Sequence, residues 1–139
     1  MTAYTRAAII AALLAATTPA FAHGTMLPDA STLPKDVVQL SGVVPGMGEH
    51  WANPADMPIG PIYGVSNGKV IFLEFMIDQE SFKAGKSFLE LASKAGIELP
   101  SIDHVDFDFE PKGHEGYEVP HYDVHMYFIS HDNHMAIKP

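Results

Sequence analysis

The chain has 139 residues, with 17 acidic against eight basic side chains, a formal charge of −9, eight histidines and no cysteine. Such an acidic surface repels nucleic acid and anionic lipid, and without cysteine there is neither disulfide nor thiol chemistry. No glycine-rich phosphate loop and no serine nucleophile elbow occurs, so histidine and carboxylate are the groups left to carry chemistry.

The N-terminal stretch "MTAYTRAAIIAALLAATTPAFAHG" carries Arg6 as its only charge, then an apolar run over residues 7–16, then Ala20-Phe21-Ala22 in the small-x-small pattern of a cleavage site. This predicts a signal peptide over residues 1–22, and export to a periplasm or the medium. The run is too short to span a bilayer core of about 30 Å, and no other segment is a candidate anchor. Cleavage leaves 139 − 22 = 117 residues, with seven lysines, no arginine and a charge of 7 − 17 = −10. Without arginine the mature chain lacks the planar fork that grips phosphate in bidentate fashion. A bound metal would supply the bracing that disulfides cannot.

Residues 23–39 read as an extended N-terminal arm, and 40–139 as a single metal-binding α+β domain dominated by an antiparallel curled sheet with one short helix. "DVVQLSGVV", 36–44, predicts the first strand. "PGMGEHWANPADMPIGP", 45–61, is a long Pro/Gly loop of the kind that more often serves function than not. "IYGVSNGKVIFLEFMI", 62–77, is a hairpin, with Asn67-Gly68 as its two-residue type I′ turn. That turn pairs Tyr63 with Phe72 and Pro61 with Glu74. "DQESFKAGKSFLELASKAG", 78–96, contains the helix, with Ser87 and Glu90 at capping-box spacing and Gly96 as its stop. "SIDHVDFDFE", 101–110, alternates as a half-buried strand: Val105, Phe107 and Phe109 on one face, His104, Asp106, Asp108 and Glu110 on the other. After the turn "KGHEG", "YEVPHYDVHMYFIS" is the last long strand, bent at Pro120.

Glu74 is the only charge in "VIFLEFMI" and shares a face with Val70, Phe72 and Met76. A carboxylate there needs a partner or a raised pKa. A cation shared with His50, from the adjacent loop, removes the difficulty; an exposed edge-strand glutamate is the plainer alternative. In "PHYDVH", His121 and His125 share a strand face but stand about 13 Å apart at about 3.3 Å per residue. To share an ion they need the strand bent at Pro120; otherwise Asp123 pairs with one of them. The expected metal ligands are His50, Glu74, His121 and His125, with Asp123 as a further ligand or as the group orienting one imidazole. His104 is a candidate from the neighbouring strand. His114 reads as a turn residue, and His131 and His134 as a solvated tail, with a surface metal as the alternative. His23 would head the cleaved chain, an arrangement resembling a copper-binding histidine brace.

The blocks "GMGEHW", "PIYG" and "PHYDVH" resemble those of a domain-of-unknown-function family of small bacterial proteins, over residues 40–134. Met126 departs from an aromatic expected there, a matter of packing. The resemblance implies that His50, Glu74, His121 and His125 belong together; it implies no substrate and no catalytic residue.

Two functions follow. One is an exported metal-binding protein with a mononuclear His/Glu site and no proven catalysis. The ion would be divalent, zinc first, with manganese or iron as alternatives. The other is a metal-dependent hydrolase or lyase acting on a small organic ligand, with Trp51, Tyr63 and Tyr127 lining its pocket and metal-bound hydroxide as nucleophile. Neither requires nucleic acid or a membrane; both allow a homo-oligomer.

Overall fold

The computed structural model describes residues 26–139. The expected signal peptide and His23 lie outside the described residues. Among these, six strands form one antiparallel sheet. They are β1 (Val38–Gln39), β2 (Glu49–Ala52), β3 (Ile62–Ser66), β4 (Lys69–Asp78), β5 (His104–Glu110) and β6 (His121–Tyr127), in the order β1-β2-β3-β4-β6-β5. Two short helices, α1 (Gln79–Lys83) and α2 (His131–Met135), complete a mostly-sheet α+β fold.

The hairpin forms as its sequence predicts. Asn67 (φ 50°) and Gly68 (φ 73°) both take the left-handed conformation a type I′ turn needs, and Ser66 pairs with Lys69. Farther from the turn the register slips by one residue at Gly64/Val65, so Tyr63 pairs with Leu73 and Ile62, not Pro61, with Glu74. A bulge of this kind adds one unpaired residue to a strand and redirects the side chains beyond it. Glu74 thus lies in the middle of a ten-residue central strand, flanked by β3 and β6.

The helix in residues 78–96 is not where its capping box placed it. Asp78 caps α1 by accepting from Ser81 N–H at 2.7 Å, and residues 87–90 are irregular. Leu91–Ala95 is a 3-10 turn ended by Gly96 in the left-handed conformation, so the stop signal holds although the helix does not. The first strand shrinks to two residues, and His50 belongs to β2 rather than to a loop.

The two sheet faces differ in kind. Tyr63, Val65, Leu73 and Phe75 form an apolar core under the N-terminal arm and residues 91–99. The opposite face carries rows of cross-strand neighbours: His50, Gly64, Phe72, Tyr127 and His104; then Ala52, Ile62, Glu74, His125 and Asp106; then Met76, Asp123 and Asp108; then Asp78, His121 and Glu110. Four of the seven histidines among the described residues, and both buried carboxylates there, Glu74 and Asp123, sit on this one surface.

Candidate metal centre

All the histidines among the described residues fall into three groups on that face: His50, Glu74 and His125; His114, His121 and Asp123; and His104, Asp106, His131 and His134. Three of the four expected ligands therefore meet. His121 does not join them. β6 is regular from His121 to Tyr127, because Pro120 precedes the strand instead of bending it. His121 and His125 stay about 13 Å apart, as an unbent strand requires.

The central group is buried, Glu74 at 3% and His125 at 1% exposure. Glu74 Oε2 lies 3.8 Å from His50 Nε2 and 3.7 Å from His125 Nε2. The tautomer of His50 follows from its neighbours. Ser41 donates its hydroxyl to Gly42 O at 2.8 Å and accepts from the His50 backbone N–H at 3.0 Å. It therefore accepts from Nδ1–H at 3.2 Å as well, leaving the Nε2 lone pair facing Glu74. Glu74 Oε2 and both ring nitrogens of His125 have no hydrogen-bond partner. Unpaired buried polar atoms cost about 1–3 kcal/mol each, so three in one place call for an explanation.

Local packing builds this arrangement. A Cβ on Gly64 would collide with the ring of Phe72. The bare glycine lets that ring lie edge-on between His50 (centroids 5.7 Å apart) and His125 (5.0 Å), as the floor of the site. Tyr127 stacks on His125 at 5.6 Å and on His134 at 4.2 Å. Trp51 and Tyr63 do not line the site. Both pack into the apolar core on the other face, where Tyr63 donates to Ala95 O at 2.6 Å.

Burial dominates the electrostatics. It pushes Glu74 up to about 8, with Asp123 and Asp108 adding to the rise. It pushes His125 down to about 4, with His50 contributing. Burial also lowers His50. With no ion bound, the group at neutral pH is a protonated carboxyl facing two neutral imidazoles.

In the second group His121 is fully buried, and its Nε2 lies 3.0 Å from Asp123 Oδ1 and 3.1 Å from His114 Nε2. The third group gathers His104 from β5 with His131 and His134 from α2. His134 donates Nδ1–H to Gly46 O at 3.0 Å and turns Nε2 toward His131 Nδ1 at 3.0 Å. Sequence alone ranks His114 and this third group below the four expected ligands. The available signal was the His-x-x-His spacing behind Ser130, a helix N-cap that brings residues i and i+3 to one side.

No protein-family model and no curated protein sequence matches the chain. Among solved structures, the chain is similar to the crystal structure of hypothetical protein TTHB210 from Thermus thermophilus. That match has 23% identity and a TM-score of 0.60, and covers 70% of this chain and 91% of that one. At that identity the likeness shows a shared fold, one mostly-antiparallel α+β architecture seen in two chains.

Proposed function

We propose that this is an exported metal-binding protein whose principal ion sits between His50, Glu74 and His125, and that it belongs with the domain-of-unknown-function family its sequence blocks resemble. One observation carries the reading: Glu74 Oε2 and His125 Nε2, both buried, aim at each other across 3.7 Å with no hydrogen-bond partner. A cation between them and His50 Nε2 would satisfy every orphan of this group except His125 Nδ1, which has Asp108 Oδ2 at 3.6 Å.

The donor set, two imidazoles and one carboxylate, suits zinc, manganese and iron(II) alike. The spacing favours zinc. Ligand atoms about 2.1 Å from a tetrahedral ion lie about 3.4 Å apart, and around an octahedral ion about 3.0 Å. The observed 3.7 and 3.8 Å are nearer the first figure.

Three protein donors leave a fourth position, which is the feature favouring the enzymatic reading. Burial of Glu74 and His125 favours binding over turnover, since only His50, its side chain 19% exposed, gives that position a route to solvent. Among the described residues no helix is long and apolar enough to cross a membrane. Elemental analysis of untagged protein tests the metal reading: about one equivalent or more of zinc is expected, and metal-free protein that takes up no zinc on dialysis would refute it. Intact mass of the exported product tests the compartment, with a chain beginning at His23 expected; a retained N-terminus removes the export part alone.

A further inference from the structure

We infer that the chain holds a second divalent cation, at His114, His121 and Asp123, and that this ion pins the 111–120 turn onto β6. The site shares no ligand with the first.

Backbone carbonyls fix the protons. His121 Nδ1 lies 2.7 Å from Val119 O, and His114 Nδ1 lies 3.1 Å from Glu115 O. A carbonyl only accepts, so both rings donate Nδ1–H to backbone and each carries its lone pair on Nε2. Those two Nε2 atoms face each other at 3.1 Å. Asp123 completes the set, Oδ1 at 3.0 Å from His121 Nε2 and Oδ2 at 3.6 Å from His114 Nε2. Electron-rich atoms thus converge with no donor among them. The 3.0 Å contact is not a hydrogen bond, and Asp123 Oδ1, on a side chain 8% exposed, has no partner at all.

A proton can join only one pair of these atoms. Placed between the two imidazoles, it leaves Asp123 Oδ1 orphaned; placed toward Asp123, it leaves the imidazoles opposed. A metal ion contacts all three ligands together. The separations of 3.0 to 3.6 Å bracket the roughly 3.4 Å edge of a tetrahedral site with bonds of about 2.1 Å. Two imidazoles and a carboxylate identify the class of ion as zinc or a neighbouring first-row divalent metal, not calcium or magnesium, which want oxygen ligands. The carbonyls of Val119 and Glu115 act as the outer partners that ligating histidines usually have.

The sources of the ligands give the site its consequence. His121 and Asp123 are held in β6, whereas His114 comes from the turn, with its side chain 43% exposed. The turn otherwise meets this strand through the Val119 carbonyl and through Tyr117, whose ring lies 4.6 Å from that of His121. An ion bound to His114 adds a coordinate link between turn and sheet. It also accounts for the "HYDVH" spacing. One strand face serves two ions, His121 and Asp123 for one and His125 for the other, about 6.6 Å apart along the strand from Asp123 to His125.

The test adds Zn²⁺ alone to apo protein, counts bound ions by equilibrium dialysis, and follows hydrogen exchange of amides 111–120. Wild type should gain protection there on binding. His114→Ala, an exposed turn position that leaves β6 intact, should bind one ion fewer per chain and lose that gain. Asp123→Asn, which keeps the side-chain shape, should weaken this ion by at least tenfold. Glu74→Gln should also lose one ion, yet keep the protection at 111–120. If His114→Ala and Asp123→Asn both bind as many ions as wild type, or if wild type gains no protection, the second site does not exist. Loss of an ion from Glu74→Gln in that same experiment would leave the first site standing, so the two readings fail separately.

Discussion

Glu74→Gln separates the two states of the central site because it acts on them in opposite directions. Without metal, the carboxyl is held at about 8 against an ordinary value of 4.5. The native state therefore keeps a proton that the unfolded chain releases, and stability falls as pH rises from about 4.5 to about 8. Integrated from pH 5.5 to 9, that loss is about 3 kcal/mol. Glutamine is neutral at every pH and nearly isosteric, so the variant lacks this slope. The neighbouring Asp108 and Asp123, also raised by burial, contribute alike to both proteins and cancel in the comparison. In chelator, urea denaturation should show the variant equal to wild type near pH 5.5 and about 3 kcal/mol more stable near pH 9. With zinc at pH 7 the order reverses. An ion at one hundred times its Kd stabilises wild type by about 2.7 kcal/mol, or roughly 10 °C in melting temperature for a domain of this size. The variant, lacking the anionic ligand, should lose the share of that rise due to this site. The reasoning is refuted if the metal-free pH profiles superimpose, or if glutamine retains the full zinc-induced shift.

Three further outcomes follow from the same geometry. Gly64→Ala drives a Cβ into the Phe72 ring and should cost about 1–3 kcal/mol by overpacking while weakening zinc binding; urea midpoints and dialysis read both, and a neutral result would mean that Phe72 is free to move. Tyr63→Phe removes the buried bond to Ala95 O and should cost about 1–3 kcal/mol in urea denaturation with zinc affinity unchanged, because Tyr63 lies on the other face. Zinc entering the central site at pH 7 should expel about one proton, from Glu74, since burial already keeps His125 and His50 unprotonated; calorimetry in buffers of differing ionisation enthalpy counts it, and two or more protons from this site would contradict the assigned charge states.

Local chemistry made much of the fold legible and long-range geometry hid the rest. Asn67-Gly68 announced its turn because both residues tolerate positive φ, and Glu74 announced its site because a lone charge in an apolar strand needs compensation. The pairing beyond the turn was misjudged by one residue because the bulge at Gly64/Val65 has no local signature apart from the glycine, whose reason is a ring eight residues away. His121 was grouped with His125 because both share a face. Which group each joins depends on the 111–120 turn, which delivers His114, and no strand periodicity reports where a turn folds back.

The inverted face of β5 is instructive in physical terms. Period-two alternation told its two sides apart, and the usual inference puts the apolar side inward. Here Val105, Phe107 and Phe109 are 41–53% exposed, while His104, Asp106, Asp108 and Glu110 share the face of the buried histidines and acids of β4 and β6. The rule fails because it presumes an apolar interior. This sheet has its largest apolar cluster under the N-terminal arm, and a second face where histidine and carboxylate sit among smaller apolar groups around Ile62 and Met76 and around Phe72 and Tyr127. Asp108 stands directly opposite Asp123, and its carboxyl is pushed upward by burial and by Asp106 and Glu110. Without cations such a layer is strained by desolvation and like charge, and burial raises the carboxyls of Glu74, Asp108 and Asp123. Divalent ions bound at the two groups on β6 would neutralise Glu74 and Asp123 and satisfy their orphaned oxygens together. On this reading the acidic face is oriented inward by what it binds, and the exposure of the three apolar side chains on β5 is the consequence of that register.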